Sequence, residues 1–233
     1  TKFNAKLNIA TGVRIPNLAE LSSNGLHEGV FTYEIGDPLL KNEQNVALNI
    51  AINYEHKYFE FYASPFYNYF YNYVYLAPTT EDWYGFPVFR YKQQNASQYG
   101  AEFTMNIKPF SNLVIGSSYA GMVSKTADGN YTPYLPAQKI SPKIQYQINN
   151  IKNLPLSLYT AADLCLAQHH VYLLEKTTPQ YWLLNAGLST SIQKGNTIYE
   201  MSIAGTNLLD IATIGDGRQS LPLCKQVRTK ATK

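Results

Sequence analysis

No stretch of this 233-residue sequence approaches the ~18 uninterrupted apolar residues of a membrane-spanning helix. Any crossing of hydrocarbon is therefore left to strands, which satisfy their backbone groups between neighbours. Cysteine is nearly missing. Cys165 and Cys224 stand alone, with no second Cys or His at ligand spacing, which excludes a disulfide framework and a cysteine-based metal centre. Charge is scarce, at 15% of residues, and almost balanced, with 19 basic and 16 acidic side chains. Five of the basic residues (Arg218, Lys225, Arg228, Lys230 and Lys233) follow Asp210 with only Asp216 against them, so residues 1–210 carry 14 basic and 15 acidic groups, net −1. A body so close to neutral lacks the clustered Lys and Arg that displace counterions from a phosphate backbone, and nucleic acid is not an expected partner. What the chain has in quantity is aromatic: 20 Tyr, 10 Phe and 2 Trp, far too many for a disordered chain.

A period of two runs through the sequence. Phe3, Ala5, Leu7 and Ile9 alternate with Lys2, Asn4, Lys6 and Asn8; Val46, Leu48, Ile50, Ile52 and Tyr54 alternate with Asn45, Ala47, Asn49, Ala51 and Asn53. Further strands are predicted at about 58–75, 95–107, 113–124, 138–149, 155–168, 180–193 and 197–207, nine in all. Their second face keeps presenting Asn, Gln, Lys, Ser and Thr, and they run to ten or more residues, where strands of soluble proteins peak near 5–6 and tilted membrane strands need about 9–11. Connections alternate between tight turns (His56–Lys57, Lys108–Asn112, Asn150–Leu154, Lys194–Asn196) and long segments (Arg14–Gln44, Ala77–Gln94, Lys125–Ala137, His169–Pro179). Outer-membrane barrels have this asymmetry. The alternate tyrosines Tyr67, Tyr69, Tyr71, Tyr73 and Tyr75 suit a headgroup boundary, since each ring is apolar and each tip polar. The expected fold class is all-β: an antiparallel up-and-down transmembrane β-barrel, present in part, as an open curved sheet over residues 1–210. Residues 211–233 lose the alternation and contain Pro222, so they are expected to be an aberrant or disordered basic tail. A rival reading is a soluble carbohydrate-binding β-sandwich, which requires two packed sheets around a dry interior.

The first long connection carries Gly12-Val13-Arg14-Ile15-Pro16-Asn17-Leu18-Ala19-Glu20-Leu21 and later Tyr33-Glu34-Ile35-Gly36-Asp37-Pro38. With Asn72-Tyr73-Val74-Tyr75, Tyr99-Gly100-Ala101-Glu102 and Asn207-Leu208-Leu209-Asp210, this order resembles the carboxy-terminal barrel portion of a TonB-dependent outer-membrane receptor. The resemblance implies a bacterial outer-membrane location, lipid against one face, and a small-molecule metal complex as cargo, with an iron-siderophore first among the candidates. It also implies a plug and amino-terminal barrel strands that this chain does not show, and a TonB complex acting on the full-length protein. Zinc, haem and oligosaccharide uptake are the alternatives within the class.

No catalytic constellation is present, and neither enzymatic activity nor a resident cofactor is expected. Ligand-binding candidates lie in the long connections. His27 and Glu28 place imidazole and carboxylate side by side near Glu20 and Glu34, His169 and His170 open another connection, and Trp83 and Tyr84 could stack on an aryl chelate or a sugar. Arg14 and Glu20 read as architectural, the arginine pairing with a nearby carboxylate.

Overall fold

Alternation fixes the sheet. The computed structural model describes residues 1–151, 154–194, 197–211, 213–215 and 218–220. In chain order the elements are β1 (Lys2–Arg14), α1 (Leu18–Ser22), β2 (Asn24–His27), β3 (Thr32–Ile35), β4 (Glu43–His56), β5 (Phe59–Trp83), β6 (Phe86–Phe110), β7 (Leu113–Thr126), β8 (Lys139–Ile151), β9 (Leu154–Cys165), β10 (Tyr181–Lys194), β11 (Thr197–Gly205), β12 (Thr213–Gly215) and β13 (Arg218–Ser220). Nine of them form an antiparallel meander, β1-β4-β5-β6-β7-β8-β9-β10-β11, matching the nine expected; β2 and β3 bring the sheet to eleven strands. The path ends at β1 and β11 without closing, among the described residues. The tail expected over residues 211–233 and the turn centres 152–153 and 195–196 lie largely outside the described residues, although β12 and β13 pair with each other apart from the main sheet.

Register shows how consistently the two faces differ. Ile9, Leu48, Tyr67, Tyr99 and Val123 stand opposite one another across five strands, and Phe103, Tyr119, Ile140, Leu164 and Trp182 do so across the next set. On the other face Asn4, Asn53, Tyr62, Thr104, Ser118 and Ser141 make a polar row. The apolar face is bare: Val46 is 41% and Ile203 51% exposed. No second sheet covers it among the described residues, which removes the sandwich alternative. A bare apolar face of this extent would aggregate in water and is suited to hydrocarbon.

Three expectations need correction. The segment Ala77–Gln94 is ladder, not loop: β5 and β6 are each 25 residues long and meet at Tyr84-Gly85. Both central residues have positive φ, 50° at Tyr84 and 90° at Gly85, the geometry that matches a tight hairpin to strand twist. Pro78 and Pro87 disguise this at the level of sequence. Between Pro78 and Asp82 the register shifts, and the Thr79 hydroxyl donates to the Val88 carbonyl at 2.8 Å across the irregularity.

The tyrosine ladder is the second correction. A bulge at Tyr71-Asn72, with Asn72 at φ 55°, inserts one extra residue into β5. Tyr67, Tyr69 and Tyr71 keep to the apolar face, but Tyr73 and Tyr75 turn to the polar one, where Tyr73 meets Phe70 at 5.2 Å and Tyr75 meets Tyr172 at 6.3 Å. Amide side chains hold the bulge: Asn95 Oδ1 accepts from the Asn72 N–H at 3.1 Å, and Gln93 Nε2 donates to the Asn72 carbonyl at 2.9 Å. The third correction is that Arg14–Gln44 is not simple loop. It contains α1, started by a reciprocal Asn17–Glu20 capping box, and the hairpin β2–β3, whose second strand runs parallel to β6 beside Val88–Arg90.

Candidate functional site

The long connections gather at one end of the sheet, and their anchor is an arginine between two carboxylates. Arg14 Nη1 donates to both Glu20 oxygens at 2.8 Å, and its Nη2 donates to Glu43 Oε2 at 3.1 Å. Glu20 and Glu43 are buried, at 8% and 9% exposure. The charge is matched further by backbone: Asn17 N–H donates to Glu20 at 2.8 Å, and Val74 N–H to Glu43 at 2.9 Å. The architectural reading of Arg14 and Glu20 agrees with this geometry. Glu43 and the amide trio Gln93, Asn72 and Asn95 were not among the sequence candidates, because nothing in β5 advertises the bulge they serve.

Above this anchor the β2–β3 hairpin leans on the long β5–β6 hairpin. His27 Nδ1 lies 2.8 Å from Glu34 Oε1, while Glu34 Oε2 accepts from the Tyr91 hydroxyl at 3.3 Å. Glu34, not the adjacent Glu28, is the partner of His27; Glu28 is exposed in the turn. Glu20 does not join them, being held by Arg14. Trp83 packs on Tyr33 with ring centres 4.5 Å apart and meets Tyr84 edge-on at 4.9 Å. The result is a continuous surface at the hairpin tip, with Trp83 40% and Tyr84 87% exposed. His27 and Trp83, far apart in sequence, thus flank one docked hairpin.

His169 and His170 go elsewhere. His170 stacks on Tyr131 at 4.9 Å, and both histidines line a groove with residues of β7 and the following connection; neither His27 nor Trp83 lines it. Among the described residues no three His, Cys, Asp or Glu side chains gather closely enough to hold a metal ion. The connections are tied to one another instead. Glu175 accepts from the backbone N–H groups of Tyr134 at 2.7 Å and Tyr172 at 2.9 Å, and burial, helped by Glu175, pushes the Tyr134 phenol up to about 12.

Asp128 closes the turn after β7. The Thr126 hydroxyl, and then the Asn130 side-chain and backbone N–H groups, hold its carboxyl down to about 2, against an ordinary value of 3.8. A depressed carboxyl stabilises the turn above its ordinary range and ceases to do so as pH falls toward 2. Amide exchange at Gly129 and Asn130 is therefore expected to accelerate between pH ~4 and ~2, over and above the intrinsic rate. In Asp128→Asn that acceleration should vanish; an unchanged profile would refute the assignment.

A family profile described as "TonB dependent receptor-like, beta-barrel" matches residues 2–208. The chain belongs to the TonB-dependent receptor β-barrel family. Solved structures share the fold. "Copper transporter OprC" superposes with a TM-score of 0.77 at 11% identity, covering 98% of this chain and 36% of that one. The siderophore receptor PirA from Pseudomonas aeruginosa gives 0.58 at 14% identity, covering 90% and 34%. The ferric enterobactin receptor PfeA from Pseudomonas aeruginosa, as an R480A mutant with enterobactin, gives 0.59 at 17%, covering 94% and 35%. At these identities the likeness is one of fold. The TonB-dependent receptor portion seen here spans about a third of the length of those proteins. No curated protein matches the sequence.

Proposed function

We propose that this chain supplies part of the barrel wall of a bacterial outer-membrane receptor that takes up a small metal complex, with an iron chelate bearing aryl groups as the preferred cargo. In this reading lipid covers the apolar face, and further strands, a plug and the TonB complex complete the working receptor. The observation that carries the cargo assignment is the tip of the long hairpin. Exposed Trp83 and Tyr84 stand beside Tyr33, within a hairpin whose polar partner set is His27, Glu34 and Tyr91. The flat aromatic faces of Trp83, Tyr84 and Tyr33 suit an aryl chelate, whereas His27, Glu34 and Tyr91 alternate onto the opposite side of the hairpin and brace it from there. Copper is a second reading, favoured by the fold similarity to a protein named as a copper transporter. A zinc, haem or oligosaccharide cargo has no comparable observation in its favour.

The test uses the receptor from its full natural reading frame. Membrane fractionation should recover it only with detergent; a soluble protein would refute the receptor reading. The difference in emission between the full receptor and its Trp83→Phe variant isolates Trp83 as the reporter. Its fluorescence should quench on adding a ferric aryl chelate, and Trp83→Ala, followed by direct binding, should weaken affinity about tenfold. Unaltered affinity would remove the hairpin tip from the site. Growth rescue by copper and not by the iron chelate would decide for the second reading.

A further inference from the structure

A groove of about 230 Å³ lies at the long-connection end of the sheet, lined by Val123, Tyr131, Leu135, Leu166, His169 and His170 among others. Register decides which face it occupies. Lys125 stands opposite Ser97, and Ser97 opposite Tyr69, in phase with Val123, Tyr99 and Tyr67. The Tyr119 hydroxyl donates to Gln138 Oε1, another lining residue, at 3.0 Å, and Tyr119 stands opposite Phe103 and Ile140. Tyr131 bridges to Lys125, whose ammonium lies 4.8 Å from its ring centre, and His170 stacks on the same ring. Val123, Tyr131, Gln138 and Leu166 thus set the groove's mouth on the apolar face, while Met122, opposite Gly100 and in phase with the polar row, closes it from the other side. It begins where the aromatic rows end: Val123 is opposite Tyr99, and Leu166 follows Leu164, which is opposite Trp182.

A purely hydrocarbon-facing surface has no use for charge, and a cargo site would face the lumen. Here an apolar floor of Val123, Leu135 and Leu166 meets His169 and His170, with Lys125 just outside the lining against Tyr131, and the lining includes no carboxylate. That combination of apolar floor and cationic or N–H-donating rim, just beyond an aromatic row, is the chemistry of an anionic lipid headgroup site. Resting on the outer-membrane reading above, we propose that the groove binds the phosphorylated headgroup of an outer-leaflet lipid. Lys125 and the two imidazoles donate to phosphate oxygens, and an acyl chain runs along Val123 and Leu166. The assignment gives His169 and His170 a role at the outer wall in place of cargo binding.

The test is native mass spectrometry of the full natural receptor in detergent, with bisphosphorylated lipid A and its dephosphorylated form as probes. The phosphorylated probe should be retained about tenfold better, and the K125Q/H170N variant should lose that preference while keeping the weak retention of the dephosphorylated probe. Equal retention of the two probes by the unaltered receptor would overturn the proposal, and this comparison decides even where the variant fails to fold. Full competition by millimolar inorganic phosphate would also overturn it, as the signature of a bare phosphate site. The two readings fail separately. A receptor that fractionates without membrane refutes the outer-membrane reading, whereas one found in membrane that ignores lipid phosphorylation loses only the headgroup site.

Discussion

Replacing Glu43 with alanine is expected to lower the unfolding free energy of the barrel by about 3 kcal/mol. The β4–β5 ladder ends at Gln44 opposite Tyr71, and β4 itself begins at Glu43, so beyond the bulge Val74 has no strand partner on that side. The Glu43 carboxylate takes the place of one, accepting the Val74 N–H at 2.9 Å while holding Arg14 at 3.1 Å. Alanine leaves a buried amide unsatisfied and releases one arm of the guanidinium. The Arg14 side chain is 41% exposed, so solvent screens the ion pair and the larger share of the loss falls on the Val74 bond. Glu43→Gln, which keeps an acceptor but no charge, should recover about half of it. Urea unfolding of the full receptor in micelles, followed by tryptophan fluorescence, measures both; a loss below about 1 kcal/mol for Glu43→Ala would mean that the bulge is held by Asn95 and Gln93 alone.

A second large effect is expected at Gly36. A Cβ there would lie 2.7 Å from the Ser22 nitrogen, 2.8 Å from the Glu20 carbonyl oxygen and 2.8 Å from the Leu21 carbonyl carbon. These are backbone atoms of α1, with no rotamer to relieve the clash. The same contact is fastened on both sides, Gly36 N–H donating to the Ser23 carbonyl at 2.7 Å and Asp37 N–H to the Glu20 carbonyl at 2.9 Å. Gly36→Ala must therefore push α1 away and strain the Glu20–Arg14 contact, at about 2–3 kcal/mol. The same unfolding assay reads the stability. Trypsin cleavage at Arg14, expected to become accessible in the variant, reads the displacement. Wild-type behaviour in both would show that the close approach relaxes without cost.

Much of this architecture was legible in the sequence, for a reason that also marks where legibility ended. Where a strand separates oil from water, each second residue must be apolar, and the nine meander strands announce themselves through runs such as Val46–Tyr54. The β5–β6 hairpin beyond the Tyr71-Asn72 bulge has no such demand on it. Its residues Thr79, Thr80, Glu81 and Asp82, between two prolines, carry no two-sided pattern, and they read as a loop although most of the segment is paired. The bulge itself was invisible, since five tyrosines at alternate positions look like one face until an inserted residue turns two of them over. At the long-connection end, adjacency in sequence set His27 beside Glu28, where hairpin pairing delivers Glu34. The separation of His169 and His170 from His27 depends on strand register, which local sequence does not encode.

The length of the paired hairpin has a mechanical corollary. Two strands of 25 residues, at a rise of ~3.3 Å each, make a ribbon roughly 80 Å long, whereas the hydrocarbon slab is about 30 Å thick. In the outer-membrane reading proposed above, more than half of it stands clear of the bilayer as a stiff mast, braced near its tip by β3 beside Val88–Arg90. A Cβ at Gly85 would meet nothing within 4 Å. On the same reading, a ligand arriving from outside the cell would encounter this crown well before it reached the wall below.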